Sequence, residues 1–266
     1  MSVKAGEIIA AMEEWAPEEI AVNWDNVGLL LGSPQHDINR VLVAFEITPA
    51  VVSEAIEKQV QMIMTHHPLI FEPMQRILFE EYPGNLILQL THAKIAIYAA
   101  HTNLDMVPDG VNDILARSLA LTDVVNLSDD ELPDLARLGN LAQPMAQKDF
   151  AAYVQQKLGV DMVRMVKGAR PIEKVASCAG SGAHYIDFAV AAGADALVTG
   201  DIKHHDALKA QALGLTVVDA GHYGTERMIA PILAMYMQQA MAGLPVDVVL
   251  SEVETDPWQV IVAEKA

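Results

Sequence analysis

Cysteine is nearly missing from this chain: Cys178 stands alone among 266 residues, so no intrachain disulfide can form. A framework held by covalent staples is excluded, and a reducing compartment, the cytoplasm, is the expected location. Positive charge is scarce as well. Lys and Arg number 17 against 35 Asp and Glu, for a formal net charge of −18. Broad binding to nucleic acid or to an anionic membrane needs positive surface, so the balance weighs against both. An anionic substrate stays open, because a bound cation reverses the field inside a cleft. Long apolar runs are lacking too. No stretch reaches the roughly 18–20 uninterrupted apolar residues of a spanning helix. Met228–Leu244 comes closest, and Pro231, Gln238 and Gln239 suit a packed helix better. The opening MSVKAGEIIAAMEEWAP breaks each apolar run with acids and does not match a signal peptide.

What is present is the composition of an ordered protein, 52% hydrophobic and 20% charged, long enough for two modest domains or one large one. Thirteen methionines read as adaptable core filler, since no Met-x-Met cluster sits beside Cys or His. Apolar spacing over Val3–Trp15 predicts a helix stopped near Pro17, and Asn23–Gly32 reads as a turn with a core Trp24 leading into a strand. Arg40–Ile47, Val60–Thr65 and Lys94–Ala100 read as strands. Helices are expected over Val51–Lys58, begun by Thr48-Pro49, over Arg76–Gln89 with an interruption at Pro83-Gly84, and over Val111–Leu119.

Leu121–Pro144 loosens into acidic and turn-forming residues and is the expected boundary. It divides the chain into a first unit over residues 1–125 and a second over 126–266, with C-terminal elements able to return to the first. In the second half, helices are expected at Ala146–Leu158, Tyr185–Ala192, His204–Ala212 and Ile232–Met241. Strands are expected at Met162–Val166, Lys174–Cys178, Ala196–Thr199, Thr216–Ala220, Val246–Ser251 and Trp258–Ala263. Apolar strands alternating with helices predict an α/β fold of two units with mostly parallel sheets.

The ends of these strands carry the chemistry. Gln61–Pro73, QMIMTHHPLIFEP, ends an apolar run in His66-His67; Ile95–Ala100 ends in His101 with Asp105 behind it; Leu215–Ala220 is followed by His222 and Glu226. Imidazole nitrogens ligate divalent metals, and in open α/β sheets the C-terminal strand edges gather side chains from separate loops. His66, His67, Asp105, His222 and Glu226 are more donors than one four-coordinate ion uses, which favours two ions bridged by a carboxylate. His101 is open to ligation, to positioning Asp105 or to contacting substrate. In GHYGTE the four-residue spacing puts His222 and Glu226 on one helical face, unless Thr225 caps a helix that begins at Glu226.

A second polar cluster comprises Gly180, Ser181, Gly182 and His184, together with Asp201, Lys203, His204 and His205. The glycines either make a tight turn or expose backbone N–H groups to an anion, and the charged groups suit substrate contact or proton transfer. Cys178 reads as core rather than nucleophile.

NWDNVGLLLG, THHPLIF, AHTNLD, SCAGSG…GADALVTGD and DAGHYGTE, in that order over Asn23–Glu226, resemble the successive motifs of the NIF3-like family, whose members are named GTP cyclohydrolase 1 type 2 homologues. The resemblance implies a pair of α/β units with a metal centre in the cleft between them. It implies two divalent ions (Fe, Mn, Zn or Mg) on His66, His67, Asp105, His222 and Glu226, with His101 close by. It also implies a ring-like homohexamer with inward-facing sites, and the chain resembles the short form without the inserted domain. Two departures stand out. Glu46 occupies a place where the family often has Asp, and Cys178-Ala179-Gly180 replaces Cys-Gly-Gly.

The expected activity is metal-dependent hydrolysis, with a metal-activated hydroxide attacking the imidazole carbon of guanine in GTP. His101 or His204 would shuttle protons, and Gly180–Gly182 with Lys203 would hold phosphate. The competing readings are a dimetal phosphoesterase, a metal-binding regulatory or scaffold protein without turnover, and a DNA-associated ring.

Overall fold

The computed structural model describes residues 2–128 and 133–261. The chain forms two compact units. The first comprises the residues up to Val107 together with Ile229–Thr255, and the second comprises Pro108–Met228 together with the residues from Asp256 on. The stretch over 121–144, expected as a boundary, therefore lies inside the second unit, where it supplies two paired strands.

The first unit runs β1 (Val3–Lys4), α1 (Ala5–Glu13), β2 (Gly28–Leu31), β3 (Asp37–Ile38), β4 (Arg40–Ala44), α2 (Pro49–Glu57), β5 (Met62–Thr65), α3 (Gly84–Ala93), β6 (Ala96–Ala99) and α4 (Thr102–Met106). In the second unit follow α5 (Val111–Ser118), β7 (Thr122–Asn126), β8 (Arg137–Met145), α6 (Gln147–Leu158), β9 (Arg164–Val166), β10 (Ile172–Ser181), α7 (Ile186–Ala191), β11 (Ala196–Gly200), α8 (His204–Ala212), β12 (Thr216–Asp219) and α9 (His222–Glu226). The chain then returns to the first unit with α10 (Ile229–Ala240) and β13 (Asp247–Leu250).

The first unit's main sheet has the order β13-β4-β5-β6-β2, parallel throughout except for β2. Every residue of β5 and β6 is buried, as a parallel sheet covered on both faces requires. Its core joins Leu42, Ile63 and Ile97 of the strands to Val52 of α2 and to Leu86 and Leu90 of α3. At the start of α2 the Thr48 hydroxyl accepts from the Val51 amide at 3.3 Å, and Pro49 needs no donor in the first turn. The Pro83-Gly84 pair, expected to interrupt a helix over Arg76–Gln89, starts one instead. A proline cannot supply an interior N–H but can offer its carbonyl, and Leu86 and Ile87 both donate to Pro83.

The second sheet has the order β7-β8-β10-β11-β12-β9. Only β10, β11 and β12 are mutually parallel; β7, β8 and β9 pair antiparallel, so this sheet is mixed rather than mostly parallel. The pairing of β7 with β8 spans too few intervening residues for the dozen or more that a parallel crossover needs. Leu197, Val217, Tyr185, Ile186 and Ala210 form its core with Cys178, which is buried. Trp258–Ile261, expected in a final strand, takes no strand conformation, and residues 262–263 of that run lie outside the described residues. Among the described residues, no helix is long and apolar enough to cross a membrane.

Candidate metal centre

Strand register brings the first unit's donors together. Thr65 of β5 pairs with Ala99 of β6, so the residues just beyond both strands leave the sheet at the same edge. The amides of His66 and His67 both donate to the Phe45 carbonyl at 3.1 Å, which turns the chain there. The His66 Nδ1 lies 2.9 Å from the Ala100 carbonyl. A carbonyl only accepts, so Nδ1 carries the proton and Nε2 is left with its lone pair. That Nε2 stands 3.6 Å from Oδ1 of Asp105, which the single turn of α4 delivers after the amides of Leu104 and Asp105 bond to the His101 carbonyl. His66, His67 and His101 each offer a ring nitrogen, all within 4.8 Å of one another.

Behind His101 stands a residue whose role the sequence does not reveal. Asp25 Oδ1 is 2.8 Å from His101 Nδ1, while Oδ2 accepts from the Thr102 amide at 3.0 Å and its hydroxyl at 2.5 Å. Burial of the Asp25 side chain opposes its charge, but the bonds from His101 and Thr102 prevail and hold its carboxyl down at about 2. Glu46, the departure noted from the motif, places a carboxylate oxygen 3.6 Å from His67 Nδ1. Trp24, read as a core residue, is instead 62% exposed, with its ring near those of Phe71 and His101.

In the second unit, β11 and β12 end level, with Thr199 paired to Asp219. His222 and Glu226 fall on the one turn of α9, capped at Gly221, so the four-residue helical spacing holds and Thr225 is not the cap. The His222 Nε2 lies 3.0 Å from Glu226 Oε2, and its Nδ1 lies 2.7 Å from Asp201 Oδ2. Asp201, expected to touch substrate, backs the His222 ring through that contact. It does so with φ at +56°, a left-handed conformation that Asp tolerates better than most residues.

Gly180 explains the end of β10. A Cβ there would lie 2.2 Å from Glu226 Oε1 and 3.1 Å from His222 Nε2, at a φ of +61°. Its amide donates to the Thr225 hydroxyl at 2.9 Å, and that of Gly182 donates to the Thr199 hydroxyl, also at 2.9 Å. These two glycine amides are therefore engaged within the protein, and the need for glycine is close approach, not an anion cradle.

The donors fit divalent cations. Two ligands each about 2.0–2.2 Å from one ion stand roughly 3–3.6 Å apart, and both donor pairs, His66–Asp105 and His222–Glu226, match that spacing. Imidazole with carboxylate suits Zn, Fe or Mn without choosing among them. Ser181, His184, Lys203, His204 and His205 are exposed, and His184 packs against the Tyr185 ring with centroids 4.6 Å apart. Lys203 and His204 line a cavity of about 280 Å³ with Arg164 and Asp219. The His204-His205 pair joins no group of three or more ligands among the described residues.

The model of the Duf34/NIF3 (NGG1p interacting factor 3) family matches residues 3–257. A Streptococcus pneumoniae protein named GTP cyclohydrolase 1 type 2 homolog is 34% identical over 96% of this chain and 98% of its own length. A Helicobacter pylori protein named GTP cyclohydrolase 1 type 2 is 34% identical over 86% of this chain and 89% of its own. Among solved structures, a Bacillus cereus protein related to NIF3 superposes with a TM-score of 0.91 at 26% identity, covering 98% of this chain and 100% of that one.

Proposed function

This chain belongs to the Duf34/NIF3 family, and on that footing we propose that it is a hydrolase with a two-ion divalent-metal centre, acting on a purine nucleotide such as GTP. His66, His67 and Asp105 from the first unit and His222 and Glu226 from the second hold the ions. The observation that carries this reading is the set of backed imidazoles. His66, His101 and His222 each engage Nδ1 with a carbonyl or a carboxylate, which leaves Nε2 as the metal-facing or proton-carrying atom.

When bound, a pair of divalent ions lowers the pKa of a coordinated water and stabilises negative charge on the substrate. His101 moves a proton at its Nε2, with the Asp25 carboxylate stabilising the charged ring. Lys203, His204 and His205 supply exposed positive or neutral donors for the phosphates, and Ser181 and His184 supply further contacts. The choice of GTP draws on the name of the Helicobacter pylori relative. The assembly is a cytoplasmic homohexamer.

Metal analysis by mass spectrometry on untagged protein tests the centre. Two ions per chain are expected, falling to one or none in Asp105→Ala; unchanged occupancy removes Asp105 from the centre. The same Mn, Fe or Zn form is then given GTP. Retention of two ions with no ring-opened product rejects the substrate and leaves the metal centre standing.

A further inference from the structure

A soluble protein ordinarily buries rings the size of indole and phenyl. Here Trp24 is 62% exposed and Phe71 46% exposed, and both border His101. The Trp24 and Phe71 centroids are 6.0 Å apart at 69°; each also meets the His101 ring, at 6.5 Å and 71° and at 6.1 Å and 79°. All three contacts are steeply inclined, so no two of these rings stack face to face. The two exposed rings are also held in place. Asp25, next to Trp24, is tied to His101 and Thr102, and the Asn26 side-chain amide donates to the carbonyl of Ile70, next to Phe71, at 2.5 Å. Two anchored aromatic rings beside a histidine of the candidate centre are suited to a planar heterocycle.

We infer that Trp24 and Phe71 stack on the nitrogen heterocycle of the substrate and so set the site's preference for a base over a bare phosphate ester. This deepens the proposed function and rests on it for the site's chemistry. Stacking on aromatic side chains tolerates any base, because every base has a π-face. A sugar phosphate gains nothing from it.

The test uses the full chain carrying Trp258→Phe, which removes an 83% exposed indole, while Trp15 stays packed on Tyr236 with ring centroids 4.6 Å apart. Guanosine is expected to bind by equilibrium dialysis and to quench the remaining fluorescence, and ribose 5-phosphate to leave that fluorescence unchanged. Trp24→Leu and Phe71→Leu are each expected to weaken guanosine binding about fivefold or more, with metal content and circular dichroism unchanged. Guanosine affinity in Trp24→Leu within about twofold of the parent overturns the inference. So does a change of oligomeric mass in Trp24→Leu with base binding intact, which would make the rings a subunit contact. Metal-loaded protein that ignores guanosine overturns stacking alone. Guanosine binding that is lost in Trp24→Leu, in a parent protein that metal analysis finds to hold no ions as isolated, upholds stacking while refuting the two-ion centre.

Discussion

His101 and Asp25 are 76 residues apart in sequence and 2.8 Å apart in space, Nδ1 against Oδ1. The carboxylate arrives from the turn before β2, and the imidazole sits at the start of α4. Because the Asp25 side chain is buried and acid-tuned, the pairing concerns stability as well as chemistry.

The sign of that contribution follows from its direction. Asp25 is held at about 2 in the fold against 3.8 for an unperturbed Asp. A carboxyl whose pKa is depressed by folding contributes stability above its unfolded value, and that stability is lost as pH falls through the folded one. The wild-type protein is therefore expected to exceed Asp25→Asn by on the order of 2 kcal/mol near pH 6. The gap should close between pH 4 and pH 2. Urea unfolding at a series of pH values measures it, and a gap that persists unchanged at pH 2 contradicts the assignment.

Asp201→Asn separates orientation from backbone strain. Asparagine accepts the +56° φ of Asp201, so the fold is expected to melt within a few degrees of the parent. What changes is the partner of His222 Nδ1, which loses its carboxylate. Metal affinity is expected to drop about 10–100-fold, read by competition with a chromogenic chelator. Unaltered affinity would mean that His222 needs no such support.

Gly180→Ala places a methyl where Glu226 already stands. A left-handed φ adds to the clash, so the cost is expected at about 1–3 kcal/mol. Displacement of Glu226 should lower metal content as well. Thermal melting and metal analysis on one preparation check both, and full occupancy with parental stability would show that the loop yields freely.

Ile63→Ala and Val125→Ala probe the two sheets. Ile63 is fully buried in the centre of the first sheet, and its truncation is expected to cost about 2–5 kcal/mol. Val125 is 57% exposed on edge strand β7, and its truncation is expected to stay within about 0.5 kcal/mol. Hydrogen exchange, read separately in β5 and β8, distinguishes them.

The same contrast explains what was legible in the sequence. The strands ending in His66-His67, His101 and His222 are buried on both faces, so each reads as an apolar run with its polar cargo at the end. By comparison β7 is exposed at every residue and carries Asp123 and Asn126, so its composition looks like a loop although it pairs with β8. The spacing of His222 and Glu226 is local and could be read directly. The supporting roles of Asp25 and Asp201 could not, because their partners lie 76 and 21 residues away and only strand register brings them alongside. The exposure of Trp24 is hidden in the sequence for a related reason: hydrophobicity predicts burial on average and says nothing of an indole beside a histidine of the candidate centre.

The first sheet receives its last strand late. On the ribosome, a chain made only as far as Met228 already contains β7 to β12, all six strands of the second sheet, yet lacks β13, the neighbour of β4. Until that piece emerges, β4 presents a bare, apolar hydrogen-bonding edge of the kind that recruits other chains. Synthesis order thus gives the second sheet the chance to pair first, and makes the first sheet depend on a segment translated about two hundred residues after β4.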